Sequence, residues 1–193
     1  GEPIAWPNTG SYRLLDLVGL DTSVKVTKGV IENCPSDEYV IKIKDRPIHK
    51  ATQFLLDNNF LGDKSGQGFY KKTDQRDEKG GRVILALDLN TLEYKPAQKS
   101  LIPVVGIAKK VEIMDKRIKE MIASDDNSGH FVRDLICGIM VYAANRIPEI
   151  SDNIYSIDNA MKAGYAWTYG PFEYWDMIGI KDGADLAQSL GES

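Results

Sequence analysis

The chain has 193 residues, 42% apolar and 27% charged, an ordinary globular composition that excludes disorder throughout, collagen-like repeats and low complexity. Lys and Arg number 24 against 28 Asp and Glu, and a net charge of −4 argues against a nucleic-acid partner, because phosphate binding needs a positive field. The longest near-continuous apolar run, Leu135 to Ala144, has ten residues, and a membrane-spanning helix needs about 20.

The opening Gly1-Glu2-Pro3 carries no basic stretch followed by an apolar one, so no signal peptide is expected. Cys34 and Cys137 lack metal-ligand spacing and read as buried or free thiols in a reducing compartment, the cytoplasm.

Helical punctuation dominates. Residues 21–33 open with the cap types Asp21-Thr22 ahead of Val24, Val26 and Val30. Residues 45–59 open with Asp45-Arg46-Pro47 and set Ile48, Ala51, Phe54 and Leu55 on one face. In Lys71 to Arg82 eight of twelve residues are charged and two adjacent ones are glycine, which predicts an exposed linker or boundary. Val83 to Leu87 and Leu92-Glu93-Tyr94 then flank Asp88-Leu89-Asn90-Thr91 as a short hairpin. Met114, Ile118, Met121 and Ile122 predict a helix over 111–123. The widest apolar stripe, Phe131, Val132, Leu135, Ile136, Ile139, Met140 and Ala143, predicts one over 130–146, closed by Pro148.

A self-comparison adds a repeat. Residues 10–20 and 170–180 align at a constant offset of 160, pairing Gly10 with Gly170, Asp16 with Asp176 and Gly19 with Gly179. Every other pair except Ser11/Pro171 and Arg13/Glu173 is apolar in both copies. Each copy reads as a short helix ended by glycine, and the spacing is too long for a solenoid, so a duplicated domain is expected. If the copies are equivalent, the first lacks a partner for helix 130–146 and the chain reads as a window from a longer protein. Asp16 and Asp176 are expected to cap or anchor helix ends, at similar stability cost when replaced by alanine.

No motif assembles a nucleophile, a base and an oxyanion site. Gly66-Gln67-Gly68 lacks the preceding strand, third glycine and following helix of a dinucleotide turn. His49 and His130 have no cysteine or carboxylate at metal spacing and read as structural histidines near helix starts. Trp167, Tyr169, Phe172, Tyr174 and Trp175 read as core rather than as a stacking platform.

Three separated segments carry a family resemblance: Leu14 to Thr22, Leu61 to Tyr70, and Gly170-Pro171-Phe172-Glu173-Tyr174-Trp175-Asp176. With Ile157-Asp158-Asn159-Ala160-Met161 they resemble the 3-hydroxyacyl-CoA dehydrogenases, in the C-terminal helical domain that occurs in tandem in the larger members. The resemblance implies a mainly α fold of the 6-phosphogluconate dehydrogenase C-terminal-like type, duplicated, with one short β-hairpin in the connector. The implied division is a truncated first repeat over 1–70, a charged linker, hairpin and connecting helix over 71–125, and a truncated second repeat over 126–193. The middle is similar to the connector of fusions that continue into an enoyl-CoA hydratase domain.

The resemblance also implies a parent enzyme of fatty-acid β-oxidation that oxidises the 3-hydroxyl of an acyl-CoA and passes hydride to NAD. In that family the NAD site and a His–Glu pair lie in an N-terminal Rossmann domain, so this chain alone is expected to bind no cofactor and to be inactive. The helical domain supplies an asparagine near the substrate; counting back from Gly170, that position is Arg133, which cannot both donate and accept as an amide does. The second copy therefore reads as a degenerate, structural repeat. Thr9, Ser11 and Leu14 are the implied acyl-pocket contacts of the first copy. The alternative is a packing or oligomerisation module without ligand contact, and a homodimer is expected, one chain's helix 130–146 covering apolar surface on another.

Overall fold

The computed structural model describes residues 1–97 and 101–191. Among them are ten α-helices and one three-stranded antiparallel sheet, so the fold is mainly helical. The chain forms two compact units: a continuous one, Thr9–Lys99, and a split one assembled from Gly1–Asn8 and Ser100–Ser193.

The continuous unit contains α1 (Ser11–Val18), α2 (Leu20–Asn33), α3 (Glu38–Ile43) and α4 (Lys50–Asp57), then β1 (Tyr70–Arg76), β2 (Arg82–Leu87) and β3 (Tyr94–Pro96). Its core joins Leu20, Ala51, Leu55, Phe69 and Leu87, with Phe54, Phe60 and Tyr94 packed around them. Side chains of this size are each worth roughly 1.5–3 kcal/mol when buried. Helix α4 starts later than 45–59 predicts. Its N-cap is His49, whose Nδ1 accepts from the Ala51 N–H at 3.2 Å, and Asp45 caps nothing. Helix α3 escaped the sequence reading, although Asp37 caps it by accepting from the Tyr39 and Val40 N–H groups.

The charged stretch 71–82 is not a linker. It is most of β1 and the turn into β2, with Lys71 opposite Leu85. Asp77 ties that turn by accepting from the Lys79 and Gly81 N–H groups at 2.9 and 2.7 Å. The predicted hairpin is present as β2 and β3, with Leu87 opposite Tyr94. Because Leu87 and Tyr94 enter the core of α2 and α4, the sheet belongs to the continuous unit. The two compact units meet after residues 8 and 99.

The split unit contains α5 (Pro103–Lys110), α6 (Met114–Ala123), α7 (Asn127–Asn145), α8 (Ile154–Tyr165), α9 (Pro171–Ile178) and α10 (Ile180–Ser189). Ile118, Met121, Cys137 and Met140 are fully buried at its centre, where α6, α7 and α9 meet. Cys34 is exposed and the two cysteines are not bonded. Asp126 caps α7, accepting from Ser128 N at 2.7 Å and Gly129 N at 3.3 Å. The Ser124 and Ser128 hydroxyls, with those N–H groups, hold its carboxyl down at about 2. A depressed carboxyl stabilises the fold above its unfolded value and stops doing so as pH falls through the folded one. Asp126→Ala is therefore expected to lower the unfolding temperature at pH 6, with the gap to the wild type closing between about pH 4 and 2. A gap independent of pH in calorimetry would contradict the cap.

Residues 1–8 lie across the split unit as a strap. Ile4 is buried, the Tyr174 hydroxyl donates to the Ile4 carbonyl, and Thr168 N–H donates to the Ala5 carbonyl at 3.1 Å. Trp6 stacks on Trp167, with ring centres 4.0 Å apart and planes 14° apart. Each tryptophan follows an alanine in the left-handed region, Ala5 at φ 58° and Ala166 at φ 53°.

The two copies share their backbone pattern. Leu14 donates to Gly10 and Tyr174 to Gly170; Gly19 donates to Leu15 and Gly179 to Trp175; Ser23 donates to Gly19 and Gly183 to Gly179. Gly19 (φ 96°, ψ 127°) and Gly179 (φ 104°, ψ 131°) make the same bend between consecutive helices. These angles suit glycine, which has no Cβ to clash.

Candidate functional site

The three residues expected to touch an acyl chain lie at the start of α1. Gly10 is the N-cap and offers no side chain, so the first turn is open to solvent. Thr9 and Ser11 are exposed, and Leu14 is 51% exposed. Ser11 and Leu14 share a face of the helix at a spacing of three.

The opposite face of α1 is held by the turn 61–70. Asp16, 2% exposed, accepts from Phe69 N–H on one oxygen and Tyr70 N–H on the other, both at 2.8 Å. Burial pushes its carboxyl above the usual range, and the two N–H donors oppose the shift without cancelling it. Gly68 is needed at this grip: a Cβ there would lie 2.1 Å from Asp16 Oδ1. The Tyr94 hydroxyl donates to the Gly68 carbonyl at 2.5 Å, and burial followed by the Asp16 charge pushes the phenol up to about 12. On the same helix Arg13 donates to both Asp63 oxygens, at 2.8 and 2.6 Å, and so holds that carboxyl below its usual range. Tyr12 packs on Phe69 with ring centres 4.6 Å apart. The sequence reading missed Arg13 and Asp63; they lie 50 residues apart, and no local spacing links them.

Asp176 does not repeat the role of Asp16. It is exposed, and the buried carboxylate of the split unit is Asp158, which accepts from Phe172 N–H at 2.9 Å. Glu173 supports the same helix start by accepting from Gly170 N–H at 2.7 Å and from Lys162 at 2.8 Å.

The remaining candidates have structural partners. Arg133 turns onto the end of α6, donating to the Ile122 carbonyl at 2.7 Å and the Ser124 carbonyl at 3.3 Å. Besides His49 at its cap, His130 sits in the first turn of α7 with Nε2 2.9 Å from Asp125. Tyr174 is 2% exposed, and Tyr169 and Trp175 pack against the same core.

Among the described residues, no group of three His, Cys, Asp or Glu side chains suits a metal ion, and no helix is long and apolar enough to cross a membrane. The glycine turn 62–68 does not have the form of a dinucleotide turn. It leads into an antiparallel strand, and the Asp16 carboxylate fills the space at Gly68 that a pyrophosphate would need.

In the continuous unit, a helix pair bent at Gly19 and latched by the buried Asp16 carboxylate packs with a small antiparallel sheet. Comparison with known proteins gives this chain a context. The chain is 35% identical over 194 aligned residues, 99% of its length, to a Bacillus subtilis protein named "Probable 3-hydroxyacyl-CoA dehydrogenase". It is 31% identical over 93% of its length to a Rickettsia prowazekii protein whose name includes "fatty acid oxidation complex trifunctional enzyme". A fatty acid oxidation complex subunit alpha from Psychrobacter sp. (strain PRwf-1) is 38% identical over 80 residues, 41% of the chain and 10% of that subunit. No family model matches. The resemblance carried by three short motifs thus extends along the whole chain, which is related in sequence to 3-hydroxyacyl-CoA dehydrogenases and fatty acid oxidation enzymes. The chain spans 23% of the length of the first two relatives.

Proposed function

We propose that this chain is a duplicated helical module of a cytoplasmic, NAD-dependent 3-hydroxyacyl-CoA dehydrogenase of fatty-acid oxidation. In this reading it forms part of the acyl-pocket wall, while NAD and the reacting hydroxyl are handled by a Rossmann domain outside the chain. The carrying observation is the 35% identity along 99% of the chain to a protein of that name. The matched backbone hydrogen bonds at an offset of 160 support the duplication. Thr9, Ser11 and Leu14 suit a pocket wall because they are exposed at the start of a helix fixed from behind by Asp16 and Arg13, Thr9 just before its cap. Arg133 supports a structural role for the second copy, since its guanidinium is spent on the carbonyls of α6.

The purified chain is expected to show no oxidation of NADH with acetoacetyl-CoA above a buffer blank, because it brings neither a dinucleotide turn nor a positioned base. Turnover well above the blank would overturn this assignment. Saturable binding of acetoacetyl-CoA by calorimetry, weakened by Leu14→Glu, is the expected sign of the pocket wall.

The second reading, a packing module with no ligand contact, is favoured by the structural partners of every histidine and of Arg133. It predicts no acyl-CoA binding at all. A homodimer built by lending helix 130–146 to another chain would require the split unit to open, because α7 carries Ile136 and Met140 into its own core.

A further inference from the structure

The sheet of the continuous unit has a free edge along β1. Its strand order is β1-β2-β3, so β1 and β3 are the edges. Strand β3 is three residues long and ends in Pro96, which has no N–H to give. Strand β1 runs over seven residues, and its register fixes which groups point outward. The Ile84 carbonyl accepts from Ala97 N–H, on the β3 side, so Lys72, opposite Ile84, turns its own N–H and C=O away from β2. At Tyr70 the same outward pair is in use: the N–H donates to Asp16 and the carbonyl accepts from Gly68 N–H. Among the described residues, nothing pairs with the outward groups of Lys72.

The side chains beside this edge are cationic. Arg76 and Arg82 are direct cross-strand partners, and like charges so placed cost stability unless an anion joins them. Arg76 donates to the Gly80 carbonyl at 3.1 Å, and among the described residues neither guanidinium is in an ion pair. Asp77, in the turn between them, is taken by the Lys79 and Gly81 N–H groups. Lys72 differs, since it already has Asp63 at 3.7 Å. The uncompensated charge is therefore the arginine pair, on the same face as Ile84, which is 43% exposed.

We propose that this edge docks an acidic, extended protein segment, added as a fourth strand beside β1 with its carboxylates over Arg76 and Arg82. Lys72 supplies the strand pairing, and the guanidiniums select the charge, because a planar fork takes both oxygens of a carboxylate. A second copy is the wrong occupant: β1 paired with its own copy would set Lys71, Lys72 and Arg76 against the same cations. The proposal uses none of Thr9, Ser11 and Leu14, so it stands or falls apart from the acyl-pocket reading.

The probe is a fluorescein-labelled peptide of alternating Glu and Val, titrated into the intact chain and followed by anisotropy. Saturable binding is expected, weakened about tenfold or more by the double substitution Arg76→Gln with Arg82→Gln and weakened by added salt. A peptide of alternating Glu and Pro carries the same charge but cannot add to a strand, so it should bind at least about tenfold more weakly. Circular dichroism of the double variant should match the parent, as both arginines are exposed. Absence of saturable binding, or binding indifferent to the arginines, would overturn the site. Equal binding of the Glu-Pro peptide would refute the strand pairing and leave only diffuse charge attraction. Tighter, arginine-dependent capture of a single-stranded oligonucleotide of equal charge would assign the pair to phosphate and refute the protein segment.

Discussion

Gly62→Ala is expected to destabilise the continuous unit by more than about 3 kcal/mol. Gly62 sits at φ 107°, and an added Cβ would lie 2.2 Å from the Asp16 carbonyl oxygen and 2.6 Å from its Cα. Both are backbone atoms of a helix that the Asp16 carboxylate fixes in place, so neither can rotate aside. Conformational strain alone is worth about 1–3 kcal/mol, and the overlap adds to it. Gly66 supplies the comparison. It also has a positive φ, 83°, but an added Cβ would meet open space. Gly66→Ala should therefore show only the left-handed penalty of about 1–2 kcal/mol. Urea unfolding separates the two, and equal midpoints would show that the turn 61–68 moves away from α1 freely.

Asp16→Asn and Asp176→Asn are expected to differ sharply, although the repeat alone predicts similar behaviour. Asp16 gives one oxygen to each of two backbone N–H groups. Asparagine keeps one acceptor and turns an NH2 toward the other donor, leaving a buried group unsatisfied at about 1–3 kcal/mol. Asp176 is exposed, and its substitution should stay within about 0.5 kcal/mol. Comparable losses in urea melts would mean that the latch contributes nothing. The two segments thus share the bend at Gly19 and Gly179, while the carboxylate of the aligned position serves a turn in one and faces solvent in the other.

Much of the architecture was legible where the physics is local. The stripe from Phe131 to Ala143 announces α7, and the glycines at 10, 19, 170 and 179 mark the ends of α1 and α9 where the structure has them. Strand β1 was hidden because most of its residues face solvent, so no apolar alternation marks it. Its identity comes from pairing with β2, which only the folded chain reveals. Asp45 looks like a cap, but the helix starts at Lys50, where His49 Nδ1 reaches an N–H that Asp45 does not. The candidate site was legible to the same degree. Thr9, Ser11 and Leu14 could be chosen by resemblance, whereas the Arg13–Asp63 and Asp16–Phe69 links behind them span about 50 residues and leave no periodic trace.

The strap over the split unit has a consequence for how the chain folds. The Tyr174 hydroxyl and the Ile4 carbonyl meet across 170 positions, so the strap is made long before the groove that receives it. At ordinary synthesis rates the strap waits on the order of ten seconds or more for its groove. Loop-closure entropy rises only slowly with length, but it is met before the distant contact returns anything. Collapse of the continuous unit, whose contacts are complete once residue 99 is made, shortens the free loop between the two pieces. That order makes Thr9–Lys99 the folding platform and the split unit the last part to close. A version starting at residue 100 would lack Ile4 and Trp6 and leave Trp167 and Tyr174 without the partners that cover them.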